Sequence, residues 1–373
     1  VRSLVVLYLL FLFSVELRAD ERFGKIGIYS VETNYQFGKI IAHNSRFGPK
    51  VTEFTHGFEL CVARQTLGEK AWQRKMKYPE FGAVFMFLRH GNNDVFGNAY
   101  LLMASVKFWM VRSRVADFHI RLASGLGLAP RHYNVVDNPQ NNVIGSTINS
   151  SIQIRLGLDW KVSPNVQITT SVSFSHYSNS GAQLPNLGIN APSASIGIRY
   201  FPVVKNDLSY NRNKWGKPFK KNEFGFKVGI GITEGGSPGG PKYPIYIVSA
   251  NYARYTSIIN KVLVGTTLEF DQGVHDGIIL NEQNYKYGPV ASSMRLGFFV
   301  GDEIMMGKVS MFFIAGAYAF RPVGKFGTFV KIGANYYFAS VGKTKSTKFF
   351  VGTNIKTHYF VAQFYEMSAG IVF

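Results

Sequence analysis

The sequence predicts an all-β fold, an antiparallel transmembrane β-barrel of about 14 strands, within a range of roughly 12–16. Three observations carry that expectation. Apolar side chains alternate with small, polar or charged ones in stretch after stretch, the period-two signature of strands with two unlike faces. The chain is 46% hydrophobic and 15% aromatic with 38 glycines and only 17% charged residues, a balance suited to a sheet with one face in a non-aqueous medium. The alternating stretches run to roughly ten residues or more and carry their charges on the second face. A soluble sandwich turns every 8–12 residues or so and puts its charges outside.

Taken in order, the chain first offers Arg2, an apolar run from Leu4 to Val15, and Glu16-Leu17-Arg18-Ala19. A basic start, about a dozen apolar residues and a small final residue read as a secretory signal peptide over residues 1–19. No later stretch approaches the roughly 18 consecutive apolar residues of a spanning helix. Alternation then recurs. Phe118, Ile120, Leu122, Leu126 and Leu128 interleave with His119, Arg121, Ala123, Gly125 and Gly127. Ile152 to Trp160 interleave with Gln153, Arg155, Gly157 and Asp159, and Phe224 to Ile232 with Gly225, Lys227, Gly229 and Gly231. Val330 to Phe338 interleave with Lys331, Gly333, Asn335 and Tyr337. Turn-rich stretches such as Gly91-Asn92-Asn93-Asp94 and Gly235 to Gly240 separate them.

About sixteen strand candidates can be marked in this way. Residues 20–202 read as one barrel half and 203–222 as a basic loop, with Lys205, Arg212, Lys214, Lys217, Lys220 and Lys221 against Asp207. Residues 223–373 supply additional strands, which either enlarge one barrel or build a second. The last strand ends Met367-Ser368-Ala369-Gly370-Ile371-Val372-Phe373, and its terminal aromatic resembles the assembly signal of barrels of the bacterial outer-membrane type.

Cys61 is the only cysteine, which excludes an intramolecular disulfide or a cysteine-based metal site. The net charge of +19 fits an anionic surface. Many of the cations stand singly inside alternating strands (Arg121, Arg155, Arg199, Lys227, Lys331), so they do not form the contiguous basic face that nucleic acid requires. Lipid headgroups are the expected partner, not nucleic acid. Oligomeric state is not legible.

One strand ends in reactive chemistry. Val166, Ile168, Thr170, Val172 and Phe174 form its mostly apolar face, and the next two members of that face are His176 and Ser178. Residues i and i+2 on a strand are close enough for a histidine to reach a serine hydroxyl. On a lipid-facing surface this pair makes sense for a substrate that is itself a lipid. The stretch His176-Tyr177-Ser178-Asn179-Ser180-Gly181 through Pro185-Asn186-Leu187-Gly188-Ile189-Asn190 resembles the outer-membrane lipid A 3-O-deacylase (acyloxyacyl hydrolase-like) family. The likeness is specific over residues 176–190, extends loosely from about 80 to 201, and finds no counterpart beyond 202.

The resemblance implies Ser178 as nucleophile, His176 as general base and Asn179 as oxyanion donor, with Pro185, Asn186 and Gly188 in the turn. The position of the family's triad acid is Asn190, a departure. An amide oxygen can orient an imidazole but cannot offset the charge it acquires, and in a serine protease the corresponding change costs about 10⁴ in rate. Asn190 has the same parity as Ile196 and Ile198, so it faces the histidine if Pro192 leaves the register intact. The implied function is an outer-membrane carboxylic ester hydrolase removing a 3-hydroxyacyl chain from lipid A of lipopolysaccharide, with no cofactor. The alternative is a non-catalytic pore or structural barrel that has lost its triad acid.

Weaker signals complete the reading. Asp271, His275 and Asp276 could ligate a cation but read more simply as a solvated turn. Gly342-Lys343-Thr344 lacks the first glycine of a phosphate loop. Thr357-His358-Tyr359-Phe360 faintly echoes Ser175-His176-Tyr177-Ser178 and suggests an internal duplication, with His358 facing a lumen and no second site.

Overall fold

A computed structural model describes residues 26–43, 45–202, 204–205, 210–214, 221–341, 347–359 and 361–373. The proposed signal peptide, much of the basic stretch 203–222, and Gly342-Lys343-Thr344 lie outside them. The first barrel is built from β2 (Tyr29–Gly38), β3 (Thr55–Gln65), β4 (Glu80–Arg89), β5 (Asn98–Arg112), β6 (Ala116–Leu128), β7 (Ile148–Lys161), β8 (Val166–Ser178) and β9 (Ile189–Tyr200). The second comprises β11 (Asn222–Glu234), β12 (Lys242–Ser257), β13 (Asn260–Asp271), β14 (Met294–Met306), β15 (Val309–Phe320), β16 (Thr328–Val341), β17 (Thr347–His358) and β18 (Val361–Val372). Two short strands, β1 (Ile26–Gly27) and β10 (Val204–Lys205), pair beside the linker.

Each set closes on itself, β2 against β9 and β11 against β18, all antiparallel. The single barrel of about 14 strands expected from the sequence is therefore corrected to two barrels of eight strands each. Alternation specifies which side chains point out, but not which strand's edge meets which. A barrel of eight is just wide enough for side chains to fill it, and these do. In the first, the buried Glu59 carboxylate lies 2.6 Å from Arg121 and 2.7 Å from Arg155. Lys107 stands 3.0 Å from Glu32 and 3.2 Å from Asp159, which also holds Arg199 at 2.9 Å. The second is threaded by Lys261 with Glu303 and Glu223, and by Lys227 and Lys331 with Glu366. The cations that the sequence scatters through alternating strands are thus inward and paired. The apolar partners, among them Leu126, Val172, Ile198, Phe226, Val228 and Ile332, are exposed on the outside.

Loop lengths give each barrel a direction. In the first, the segments 39–54, 90–97, 129–147 and 179–188 share one rim, while 113–115 and 162–165 turn tightly at the other. The long segments pack on one another through Ile40, Val95, Phe96, Val143 and Ile144, and with Ile189 of β9 these belong to one buried apolar cluster. At the short-turn end a helix, α1 (Ala71–Lys75), brings Trp72 and Met76 against Met306 and Ile259 of the second barrel.

Candidate functional site

His176 and Ser178 end β8 at the long-segment rim of the first barrel. The β8–β9 register sets His176 directly opposite Asn190 and Phe174 opposite Pro192, so the proline does not break the pairing. His176 Nδ1 lies 2.6 Å from Asn190 Oδ1, and His176 Nε2 lies 3.1 Å from Ser178 Oγ. An amide oxygen only accepts, so Nδ1–H is the donor there and Nε2 keeps the lone pair that faces the serine hydroxyl. This is the tautomer that a general base needs. Both ring nitrogens are occupied by these two partners, and neither partner is a carboxylate.

The residues following Ser178 fold back over it, leaving the serine buried and His176 half-buried. Asn179 builds the turn. Its side-chain oxygen accepts from Gly181 N at 3.1 Å and Gln183 N at 3.3 Å. Its amide nitrogen donates to Ser146 Oγ at 2.9 Å and the Gln183 carbonyl at 2.8 Å. The direct oxyanion donor implied for Asn179 is therefore fully engaged in this resting geometry, and its backbone N–H donates to Asn186 Oδ1 at 3.0 Å. Ser180 and Gly181 are both left-handed, at φ 55° and 86°. Further on, Leu187 N and Gly188 N donate to the Val143 carbonyl at 3.0 and 3.1 Å, strapping the segment to its neighbour. His43 Nε2 meets the Leu187 carbonyl at 3.0 Å.

Behind the site, on the inward face of β8, the Tyr177 hydroxyl lies 2.6 Å from Nε2 of His90 in the 90–97 segment. Burial pushes the His90 imidazole down to about 4. The sequence motif flags Pro185, Asn186 and Gly188. It does not flag His43, His90, Val143 or Ser146, whose parts depend on the packing of separate rim segments.

Among the described residues the second barrel offers no equivalent pair. His358 ends β17, the seventh strand of its barrel as β8 is of the first, but it is buried among inward residues such as Asn354 and Lys356. It contacts the Thr328 carbonyl at 2.7 Å and Gln363 Oε1 at 2.8 Å. Residue 360 lies outside the described residues. Asp271 caps α2 (Gln272–Leu280) by accepting from Val274 N and pairs with Arg295. Among the described residues no group of three His, Cys, Asp or Glu side chains could hold a metal.

Comparison with known proteins places both barrels. Residues 56–199 match the family described as lipid A 3-O-deacylase. Residues 222–373, for which the sequence reading found no counterpart, match the family described as acyloxyacyl hydrolase, C-terminal domain. No curated protein matches the chain. Among solved structures, Neisserial surface protein A is similar at 13% identity and TM-score 0.32, over 48% of this chain and 99% of that one. The outer membrane enzyme PagL is similar at 18% identity and TM-score 0.30, over 44% of this chain and 97% of that one.

Proposed function

The chain belongs to the lipid A 3-O-deacylase family, and from that premise we propose that it is a bacterial outer-membrane ester hydrolase that removes a 3-hydroxyacyl chain from lipid A. The observation that carries the reading is the hydrogen-bonded line Asn190–His176–Ser178 at the rim of a bilayer-facing strand. Ser178 Oγ attacks the ester carbonyl while His176 Nε2 takes its proton. The imidazolium returns that proton to the departing sugar oxygen, leaving an acyl-serine. Water, deprotonated by the same nitrogen, then releases the 3-hydroxy acid. Asn190 holds the ring in the productive tautomer. Asn179 shapes the turn from which the oxyanion is stabilised, as such donors must be fixed before charge develops. The exposed apolar belts of both barrels are the surfaces that meet acyl chains.

Mass spectrometry of lipid A from cells expressing the chain and its Ser178→Ala variant tests this. The expected result is loss of one acyl chain with the parent and none with the variant, both correctly assembled. Equal deacylation by the variant would sink the assignment.

The neutral Asn190 favours a second reading, a non-catalytic barrel on the same scaffold. The pore form of that alternative fits poorly with lumens crossed by buried ion pairs.

A further inference from the structure

The second barrel touches the segment that carries the nucleophile's turn. Glu234, the last residue of β11, makes a reciprocal clamp across the two barrels. Its backbone N–H donates to the Gly181 carbonyl at 3.0 Å, and its carboxylate accepts from Leu184 N–H. Glu234 is buried where it does so. Beside it, β18 presents the carbonyl of Gln363 so closely that a Cβ on Gly181 would stand 2.8 Å from that oxygen. Gly181 is also left-handed, so the contact selects glycine twice over.

These contacts matter because of what else the segment holds. The first barrel fixes it through Asn186 and Val143, near Asn179 and Gly188. Between those anchors, from Gly181 to Leu184, the second barrel supplies partners for a backbone N–H and a carbonyl. Orphaned backbone groups at that point would make the turn pliable. Displacement of a catalytic turn by about 1 Å can cost roughly a hundredfold in rate.

We infer that the second barrel is a positioning element of the esterase site, and that Glu234 is its positioning residue, acting through Leu184 and Gly181 on the turn after Ser178. The catalytic half of this inference rests on the deacylase reading, whereas the clamp itself does not. His358, the counterpart of His176 by strand order, contacts the side chain of Gln363.

The test uses the full chain in detergent micelles, with Glu234→Ala, which removes the acceptor, and Glu234→Gln, which keeps an acceptor oxygen. Heat-modifiable gel migration reports barrel folding, amide exchange of the peptide covering 179–188 reports the turn, and kinetics on purified lipid A report catalysis. Glu234→Ala is expected to exchange faster in that peptide and to lose roughly ten- to a hundredfold in kcat with KM nearly unchanged. Glu234→Gln restores both. Should Glu234→Ala fail to fold, Glu234→Asp withdraws the carboxylate from Leu184 and is expected to show the same pair of changes. Unchanged exchange and unchanged kcat in a folded variant would overturn the clamp. Faster exchange beside a parent that does not deacylate lipid A would keep the brace, but overturn its catalytic role together with the deacylase reading.

Discussion

Gly188 lies against His176 so closely that a Cβ at residue 188 would stand 2.5 Å from the imidazole Cε1 and 3.1 Å from the Ser178 Cβ. The backbone there is left-handed, at φ 78°. One glycine thus closes the turn and forms the wall of the site, and its N–H is committed to Val143. A methyl group cannot be added without moving the imidazole.

Gly188→Ala is therefore expected to assemble normally yet lose about a hundredfold or more in deacylation, since the ring must shift relative to Ser178. The left-handed backbone adds roughly 1–2 kcal/mol of strain, small beside the stability of a closed barrel. Turnover measured on folded protein checks this, and near-parental turnover would show that the ring tolerates the methyl.

How much of this was legible in the sequence follows from the physics of each signal. Alternation is local, so the outward Phe226 and Val228 and the inward Lys227 were readable. Closure is not local, because nothing in β9 or β11 says that the first barrel is complete at Tyr200. The His176–Ser178 pair was visible from its spacing, and the facing of Asn190 from parity across the turn. The clamp by Glu234 joins residues fifty positions apart and leaves no mark in either segment. Asn179 was legible as important, but its engagement with Ser146 depends on a neighbouring rim segment.

Asn190 orients His176 without compensating its positive charge. A carboxylate there supplies that compensation. The loss of about 10⁴ that an amide causes in a serine protease comes from the wrong tautomer. Asn190 avoids it by accepting from Nδ1–H, so the gain here is the smaller, purely electrostatic part. Asn190→Glu is expected to raise deacylation by tenfold or more, because the partner strand already holds the side chain opposite the ring. Lipid A mass spectra over a time course measure the gain. Activity that appears only in Asn190→Glu would identify the parent as a scaffold whose catalysis has lapsed.

His90 gives the first barrel an acid-sensitive joint. Its imidazole stays neutral down to about 4 because it is buried against Tyr177. In the unfolded chain it takes a proton near pH 6.5. Between these values the unfolded state binds more protons, so this contribution is complete above about 6.5 and is lost as the pH falls towards 4. The loss amounts to roughly 3 kcal/mol. Urea unfolding at pH 7.5 and 4.5 should therefore show a shallower pH dependence in His90→Gln than in the parent. Identical dependences would place the acid sensitivity elsewhere.

Glu59 is the hub of the first lumen. It bonds Arg121 and Arg155 and also accepts from Gln36 at 3.0 Å and Gln153 at 3.2 Å. Glu59→Leu keeps the bulk but leaves two buried guanidiniums facing each other, with Glu32 as the remaining carboxylate in reach of both. Breaking one side of a buried ion pair costs about 3–5 kcal/mol, because the stranded charge has no water to replace its partner. The variant should unfold at lower urea than the parent, while the folded fraction keeps its deacylation rate, since the site faces outward at the rim. Glu59→Gln keeps one of the two acceptor oxygens and none of the charge, and should fall between the two. An unfolding midpoint unchanged in Glu59→Leu would mean that water enters the lumen and solvates the arginines. That result would reopen the case for a conducting first barrel.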